Sequence, residues 1–397
     1  MESRRKALPV TVVLLGLTSF FTDASSEMIF ALLPGFFVDV LHASPAFLGL
    51  VEGAADTVAS LVKLASGALA DRVRSKKPLV LAGYALASSV RPLMAMATAP
   101  WHALVVRVTD RVGKGIRSSP RDALIADAAE TNVGRAFGFH RAMDHAGAVV
   151  GPLIAVVLVS RARLDVRTIF WIAVIPGAVA TLLVLLVREK VKTRAAENVD
   201  RVASAPARAS AEASPALPAR LKSYLAILFV FSLANSSDAF LLLRAHDFGV
   251  SAPLLWAVFH VTKLVSSYVF GDLSDRVPRT RLIVIGWVIY AVTYAGFALA
   301  SAPLHMWALF IVYGAYYGLT EPAEKALVKD LAPAAARGKA YGYYNLIVGI
   351  TALPAGIATG ALWKAFGAPV ALGLAAAIAG VAAAALAVWN ARQAARA

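Results

Sequence analysis

The sequence predicts an all-α integral membrane protein with twelve transmembrane helices in two pseudo-symmetric six-helix bundles, and three observations predict it. First, 59% of the 397 residues are hydrophobic and 16% are charged, with a mean hydropathy of +0.68, outside the range of soluble globular chains. Second, apolar residues gather in runs near 9–40, 46–70, 78–98, 101–121, 135–160, 167–187, 222–244, 252–272, 281–301, 304–322, 337–362 and 367–390. A hydrocarbon core about 30 Å thick takes roughly 20 residues per helical span, so each run suffices for a crossing. Third, pieces of the second half of the chain repeat pieces of the first at a constant offset.

Helices follow because hydrocarbon offers no partner to backbone N–H and C=O groups, and the ten-residue alternating segments of a closed barrel are missing. The first run begins at Leu8, after Arg4, Arg5 and Lys6, as a signal peptide would. It continues past Thr22 and Asp23 to Val40 without an A-x-A cleavage pattern, so it reads as a retained first helix. The chain has no cysteine, which removes disulfides and thiolate metal sites.

A net charge of +15 in a soluble chain would point to nucleic acid. Here Lys and Arg sit in short loops between apolar runs, which is a topology signal, and no nucleic-acid partner is expected. The stretch 188–221, rich in Ala, Pro, Ser and Arg, reads as a cytoplasmic linker between a first bundle, 1–187, and a second, 222–397. That placement puts Arg72, Arg74, Lys76, Lys77, Arg276, Arg279 and both termini on the cytoplasmic face of the cell membrane, inner or plasma. Arg161, Arg163 and Arg167 are exceptions to the pattern.

The repeat is visible residue by residue. Ser66-Gly67-Ala68-Leu69-Ala70-Asp71-Arg72-Val73 recurs 204 residues later as Phe270-Gly271-Asp272-Leu273-Ser274-Asp275-Arg276-Val277, and Gly134-Arg135-Ala136-Phe137-Gly138 recurs as Gly338-Lys339-Ala340-Tyr341-Gly342. Parallel repeats of this kind imply a pseudo-twofold axis along the membrane normal, with a solute path between the halves.

The turn Gly67-Ala68-Leu69-Ala70-Asp71-Arg72-Val73-Arg74-Ser75-Lys76-Lys77 resembles the G-x-L-A-D-R-x-G-R-K pattern of the major facilitator superfamily, with Arg74 where glycine is usual. The resemblance covers essentially the whole chain and implies alternating access by rocking of one half against the other. It also implies a cytoplasmic gate. Gly67 would admit a close helix, Asp71 would meet a helix N-terminus of the other half, and Arg72 with Lys76 would anchor the cytoplasmic face. Gly271, Asp275 and Arg276 supply the second copy. Gly147-Ala148-Val149-Val150-Gly151-Pro152 is similar to the G-x-x-x-G-P core of the proton-coupled efflux (antiporter) branch, with Ala155-Val156 in place of the usual following glycines. Gly147, Gly151 and Pro152 would then form a helix-five hinge. On helix four, Arg107 stands two residues too far from Gly113 and Gly115 to match the family's R-x-x-x-G-x-G.

Charged side chains at mid-membrane cost roughly 2.5–3.5 kcal/mol each, so every one needs a partner or a wet cavity. Asp23 and Glu27 lie one turn apart on helix one, and Glu52 and Asp56 repeat that spacing on helix two. Helix four answers with Arg107, Asp110, Arg111, Lys114, Arg117 and Arg121, and helix five with His140, Arg141, Asp144 and His145. Asp238 on helix seven matches Asp23 in local context. These groups predict a proton-coupling and substrate set of Asp23, Glu27, Glu52, Asp56, Arg107, Asp110, Arg111, Lys114, Asp144 and Asp238. Asp23 is the first choice as proton carrier, followed by Glu27 and Asp56. Glu52 and Arg121 are expected nearest the membrane edges. Phe240, Tyr313, Tyr316, Tyr317, Tyr343 and Tyr344 suggest aromatic solute contacts in the second half.

The function so predicted is a secondary active transporter, a monomer in contact with membrane lipids, moving a small molecule or ion outward with protons as coupling ion. No enzyme activity, cofactor or resident metal is expected. No G-x-x-x-x-G-K-[ST] loop occurs, which argues against an ATP-driven pump. One alternative is a divalent-metal exporter using Asp23, Glu27, Asp56, His140, His145 and His260, although no tight ligand motif joins them. A lipid- or amphiphile-handling membrane protein is another, although no G-x-S-x-G marks a nucleophile. A non-transporting sensor would want a soluble output domain, and the sequence offers none of size.

Overall fold

A computed structural model describes residues 8–70, 72–129, 133–189, 217–271, 277–333 and 337–395. It is helical throughout, with no strand among the described residues. The helical segments in chain order are α1 (Val10–Val40), α2 (Pro45–Ala70), α3 (Lys77–Met96), α4 (Pro100–Ala129), α5 (Val133–Ser160) and α6 (Val166–Leu186). They are followed by α7 (Ala219–Asp247), α8 (Ala252–Gly271), α9 (Arg279–Leu299), α10 (Pro303–Leu331), α11 (Arg337–Phe366) and α12 (Ala368–Ala394).

Nine of these segments are long and apolar enough to cross a membrane, among the described residues. The other three are α4, α8 and α10. Composition accounts for α4, which carries Arg107, Arg111, Lys114, Arg117 and Arg121, and for α10, whose run holds His305, Tyr313, Tyr316 and Tyr317, while α8 is apolar over Ala252–Ser266. Both α4 and α10 also run on well past the predicted apolar stretches, to Ala129 and Leu331.

Local chemistry sets the ends and breaks. Proline opens α2, α4 and α10, where its missing N–H has no intrahelical partner to lose. The Glu189 carboxylate accepts from the backbone N–H groups of Lys76 (2.8 Å) and Lys77 (3.0 Å) and from the Ser75 hydroxyl (2.6 Å), capping the start of α3. Asp165 caps α6 through the N–H groups of Arg167 and Thr168. Near Pro34, α1 loosens and ends in a wide π turn, Phe36–Val40. Segment α7 is interrupted, with helix over Ala219–Ala234 and again over Ala239–Asp247.

Within the first six helices α1 packs on α5 and α6, α2 on α4, and α3 on α4 and α6. Within the last six α7 packs on α11 and α12, α8 on α10, and α9 on α10 and α12. The two groups meet along α2 with α11 and α5 with α8, a symmetric pair of seams. On the first seam a Cβ on Gly49 would stand 2.0 Å from the Gly356 carbonyl oxygen, so the two backbones touch. Gly147 and Gly151 bring α5 equally close to α1, where added Cβ atoms would meet the carbonyl oxygens of Phe20 at 2.2 Å and Ala24 at 2.4 Å. Gly67 does not play the part the motif implies, because its Cβ would lie 3.4 Å from Ser119, an easy distance. The tight contact of α2 with α4 falls at Gly115, beside which Ser66 Oγ donates to the Gly115 carbonyl at 2.7 Å.

Candidate functional site

A cavity of about 590 Å³ lies between the two helical groups. Its walls come from α1, α2, α4 and α5 on one side and from α7, α8, α10 and α11 on the other. At one end it is shut by contacts between the groups. The Trp256 indole N–H donates to Glu27 at 2.8 Å, Phe30 lies against Trp256 with centroids 5.2 Å apart, and the glycine seam of α2 and α11 closes beside them. Beyond these, an exposed His246–Asp39 pair at 2.9 Å ties the end of α7 to the π turn of α1. Toward the α2–α3 turn the lining continues through Lys63, Arg121, Asp122 and Arg141. Gly138 and Gly342, in that region of α5 and α11, have nothing within 4 Å of a built Cβ, while Arg141 reaches Glu321 at 3.5 Å.

The structure draws the predicted charges into the interior but divides them by role. Glu52, expected near a membrane edge, is 1% exposed and holds Arg107 through two parallel bonds of 2.8 and 2.9 Å. Asp110 likewise belongs to packing: it accepts from Arg91 at 2.8 Å, and Arg107 stands 3.9 Å away. Bidentate, doubly satisfied pairs of this kind fix helices and leave nothing free for a solute. Arg121, also expected near an edge, lines the cavity and pairs with Asp122 at 2.8 Å.

Asp23, Glu27, Asp56, Arg111, Lys114, Asp144 and Asp238 line the cavity, and so does Glu52, with its carboxylate taken by Arg107. Arg111 stands 3.9 Å from Asp56. Asp144 faces His140 at 3.5 Å and Arg141 at 4.0 Å. Asp238 accepts from the Tyr313 hydroxyl at 2.6 Å and from Tyr317 at 3.2 Å. Among the described residues no cation comes within 4.0 Å of the Asp23 carboxylate, although the charges of Asp144, Lys114, Glu27 and Arg117 act on it. Of the six aromatics expected to meet solute, Tyr317 lines the cavity, whereas Phe240 packs on Trp363 and Tyr344 bonds buried Glu324 at 2.8 Å.

At the expected gate, Lys76 bonds Asp127 at 2.5 Å and Arg72 is exposed. Gly271 closes α8, while Asp71, Asp275 and Arg276 lie outside the described residues. Pro152 sits inside an unbroken α5. No three metal-ligating side chains converge among the described residues, and His140, His145 and His260 are not grouped around an ion site. Sequence reasoning missed Arg91, Lys63, Trp256 and Glu189. Arg91-Pro92 inside an otherwise apolar run was a readable signal for the first; the others depend on tertiary contact.

The family profile described as Major Facilitator Superfamily matches residues 15–323 and 225–396. The chain is 32% identical over 368 residues to an MFS-type transporter of Methanocaldococcus jannaschii, covering 90% of both. It is 26% identical over 334 residues to the multidrug resistance protein MdtH of Cronobacter sakazakii, covering 80% of this chain and 78% of that one. The crystal structure of the nucleoside transporter NupG superposes with a TM-score of 0.75 at 15% identity, over 96% of this chain and 99% of that one, a likeness of fold.

Proposed function

This chain belongs to the major facilitator superfamily and is a multi-pass membrane transporter of a small solute; from that premise we propose that it exports its solute in exchange for protons, with Asp23 as the exchanging group. The observation that carries the reading is the placement of Asp23. It sits in the cavity between the halves, without an ionic partner among the described residues, while its neighbour carboxylates are hydrogen-bonded or paired. A carboxylate so placed can be reached by proton and solute in turn, and two ligands that compete for one group are exchanged.

The helical groups 1–187 and 222–397 rock about the linker 188–221, and the α2–α3 turn with its second copy forms the gate at the cavity's open end. The positive-inside pattern of that turn supports a cytoplasmic opening, with both termini cytoplasmic and the protein in the cell membrane. The glycine–proline sequence of α5 and the likeness to MdtH support the outward direction. The test is flux in proteoliposomes. An imposed pH gradient drives solute movement in the wild type. Asp23→Asn abolishes that drive, leaving at most solute counterflow that needs a higher solute concentration because one contact is lost, and undiminished pH-driven flux in Asp23→Asn refutes the assignment.

A further inference from the structure

The cavity lining also bears on what is carried, and this inference rests on the transport reading above. Most of its carboxylates are already engaged: Glu27 by Trp256, Glu52 by Arg107, Asp56 loosely by Arg111, Asp122 by Arg121, Asp144 by His140 and Arg141, and Asp238 by two tyrosines. Asp23 is the exception. Among the cations, Lys63, Lys114 and Lys263 line the same space with no carboxylate within 4.0 Å among the described residues. Lys263 instead stands over the Tyr317 ring at 4.0 Å.

Several polar atoms around the same space are buried with no hydrogen-bond partner: Nε and Nη1 of Arg117, Oγ of Ser236 and both ring nitrogens of His260. The residues are 3%, 4% and 8% exposed and line the cavity. Arg117, Ser236 and His260 make this part of the wall polar, and a polar solute or water meets such a wall at lower desolvation cost than a lipophilic one.

The uncommitted groups also have an order in depth. Glu27 sits at the end closed by Trp256, beside the rings of Phe30 and Phe259, and Asp23 lies four residues before it on α1, about 6 Å nearer the open end. Carboxylates beside aromatic faces suit an ammonium group. Lys263 lies seven residues beyond Trp256 on α8, so at 1.5 Å per residue it and Asp23 differ in depth by only about 4 Å. Both line one cavity, which suits a short solute whose two charges are a few bonds apart.

We infer that the solute is amphoteric, a small molecule with an ammonium group directed to Asp23 and an anionic group, carboxylate or phosphate, directed to Lys263 with Lys63 and Lys114 in support. Such a solute agrees with exchange, because its ammonium and a proton compete for the same carboxylate. It also gives the basic mouth a purpose, since charges of one sign at the opening of a low-dielectric cleft concentrate the opposite charge there.

The test uses the purified full-length chain in detergent and a matched set of probes: 4-aminobutyrate, butylamine, butyrate and, for the phosphate arm, 3-aminopropyl phosphate. Affinities are read by titration calorimetry. The expected result is binding of one or both doubly charged probes about tenfold or more tighter than butylamine and butyrate. Lys263→Gln erases that advantage and Lys263→Arg retains it; unchanged thermal unfolding of both variants certifies the fold. Whichever of 4-aminobutyrate and 3-aminopropyl phosphate binds more tightly names the anion. Equal affinities across the set, no binding of either doubly charged probe, or tighter binding of tetraphenylphosphonium overturns the inference. Proton-driven flux of a singly charged solute in proteoliposomes would then leave the transport reading standing, whereas absence of any proton-driven flux strikes at that reading itself.

Discussion

Replacing Gly49 by alanine should unseat the closed end of the cavity. The added Cβ would lie 2.0 Å from the Gly356 carbonyl oxygen and 3.0 Å from the Phe240 ring. The first contact is backbone on backbone, so no side chain can turn aside and the helices must part by roughly an ångström. Overpacking of this size costs about 1–3 kcal/mol, and the cost falls on the conformation in which α2 and α11 touch. A conformation parted at this end escapes it, so its population rises about 5- to 150-fold relative to the closed one. The chain's lack of cysteine makes the assay clean. Ala46→Cys, which sits against Gly360 on the same seam, reports opening through its rate of reaction with a water-soluble maleimide. That rate should rise by the same factor in Gly49→Ala and stay at the wild-type value in Gly138→Ala, where a Cβ meets nothing within 4 Å. Equal labelling of all three proteins, each confirmed folded by gel filtration, would refute the idea that this seam holds the closed state.

Two further outcomes follow from the ion pairs. Glu52→Gln leaves Arg107 buried with half its partner gone, so it should lower stability by about 3–5 kcal/mol, read as thermal unfolding in detergent, whereas Glu52→Leu combined with Arg107→Leu loses less than the single change. Asp39→Asn breaks the exposed bridge to His246, whose side chains are 57% and 38% accessible, and should change stability by no more than about 1 kcal/mol; a larger loss in the same assay would show that the bridge carries the closed end.

Fold class was legible because it rests on composition and period, and the membrane leaves a chain of this make-up no other architecture. The duplicated turn at Asp71 and Asp275 was legible for the same reason, as a pattern along the chain. The site was legible only in part. Asp23 and Glu27 announce themselves as acids in an apolar run, yet nothing local tells Asp23 from Glu52. The difference lies in Arg107, which reaches one of them across 55 positions, and in Trp256, which reaches Glu27 across 229. The motif reading of Gly67 went astray for a related reason. Glycine is written into the turn, but close approach is decided by the crossing point of α2 and α4, which falls at Gly115. Arg121 comes to line the cavity because α4 continues as helix well beyond its apolar run.

The interruption of α7 at Asn235–Asp238 also bears on how readily the molecule can move. In a continuous helix, swinging the last nine residues would mean breaking backbone bonds in mid-membrane. Here that ladder is already discontinuous. The Tyr290 hydroxyl satisfies the Ala234 carbonyl at 3.0 Å, and the outer piece bears His246 at its tip. Tilting Ala239–Asp247 therefore spends no helical bond that folding had not already forgone. Its resistance to tilting lies instead in side-chain packing, with Phe240, Leu241, Leu242 and Leu243 buried and Arg244 on the Phe297 and Ala300 carbonyls, about a pivot that borders the cavity.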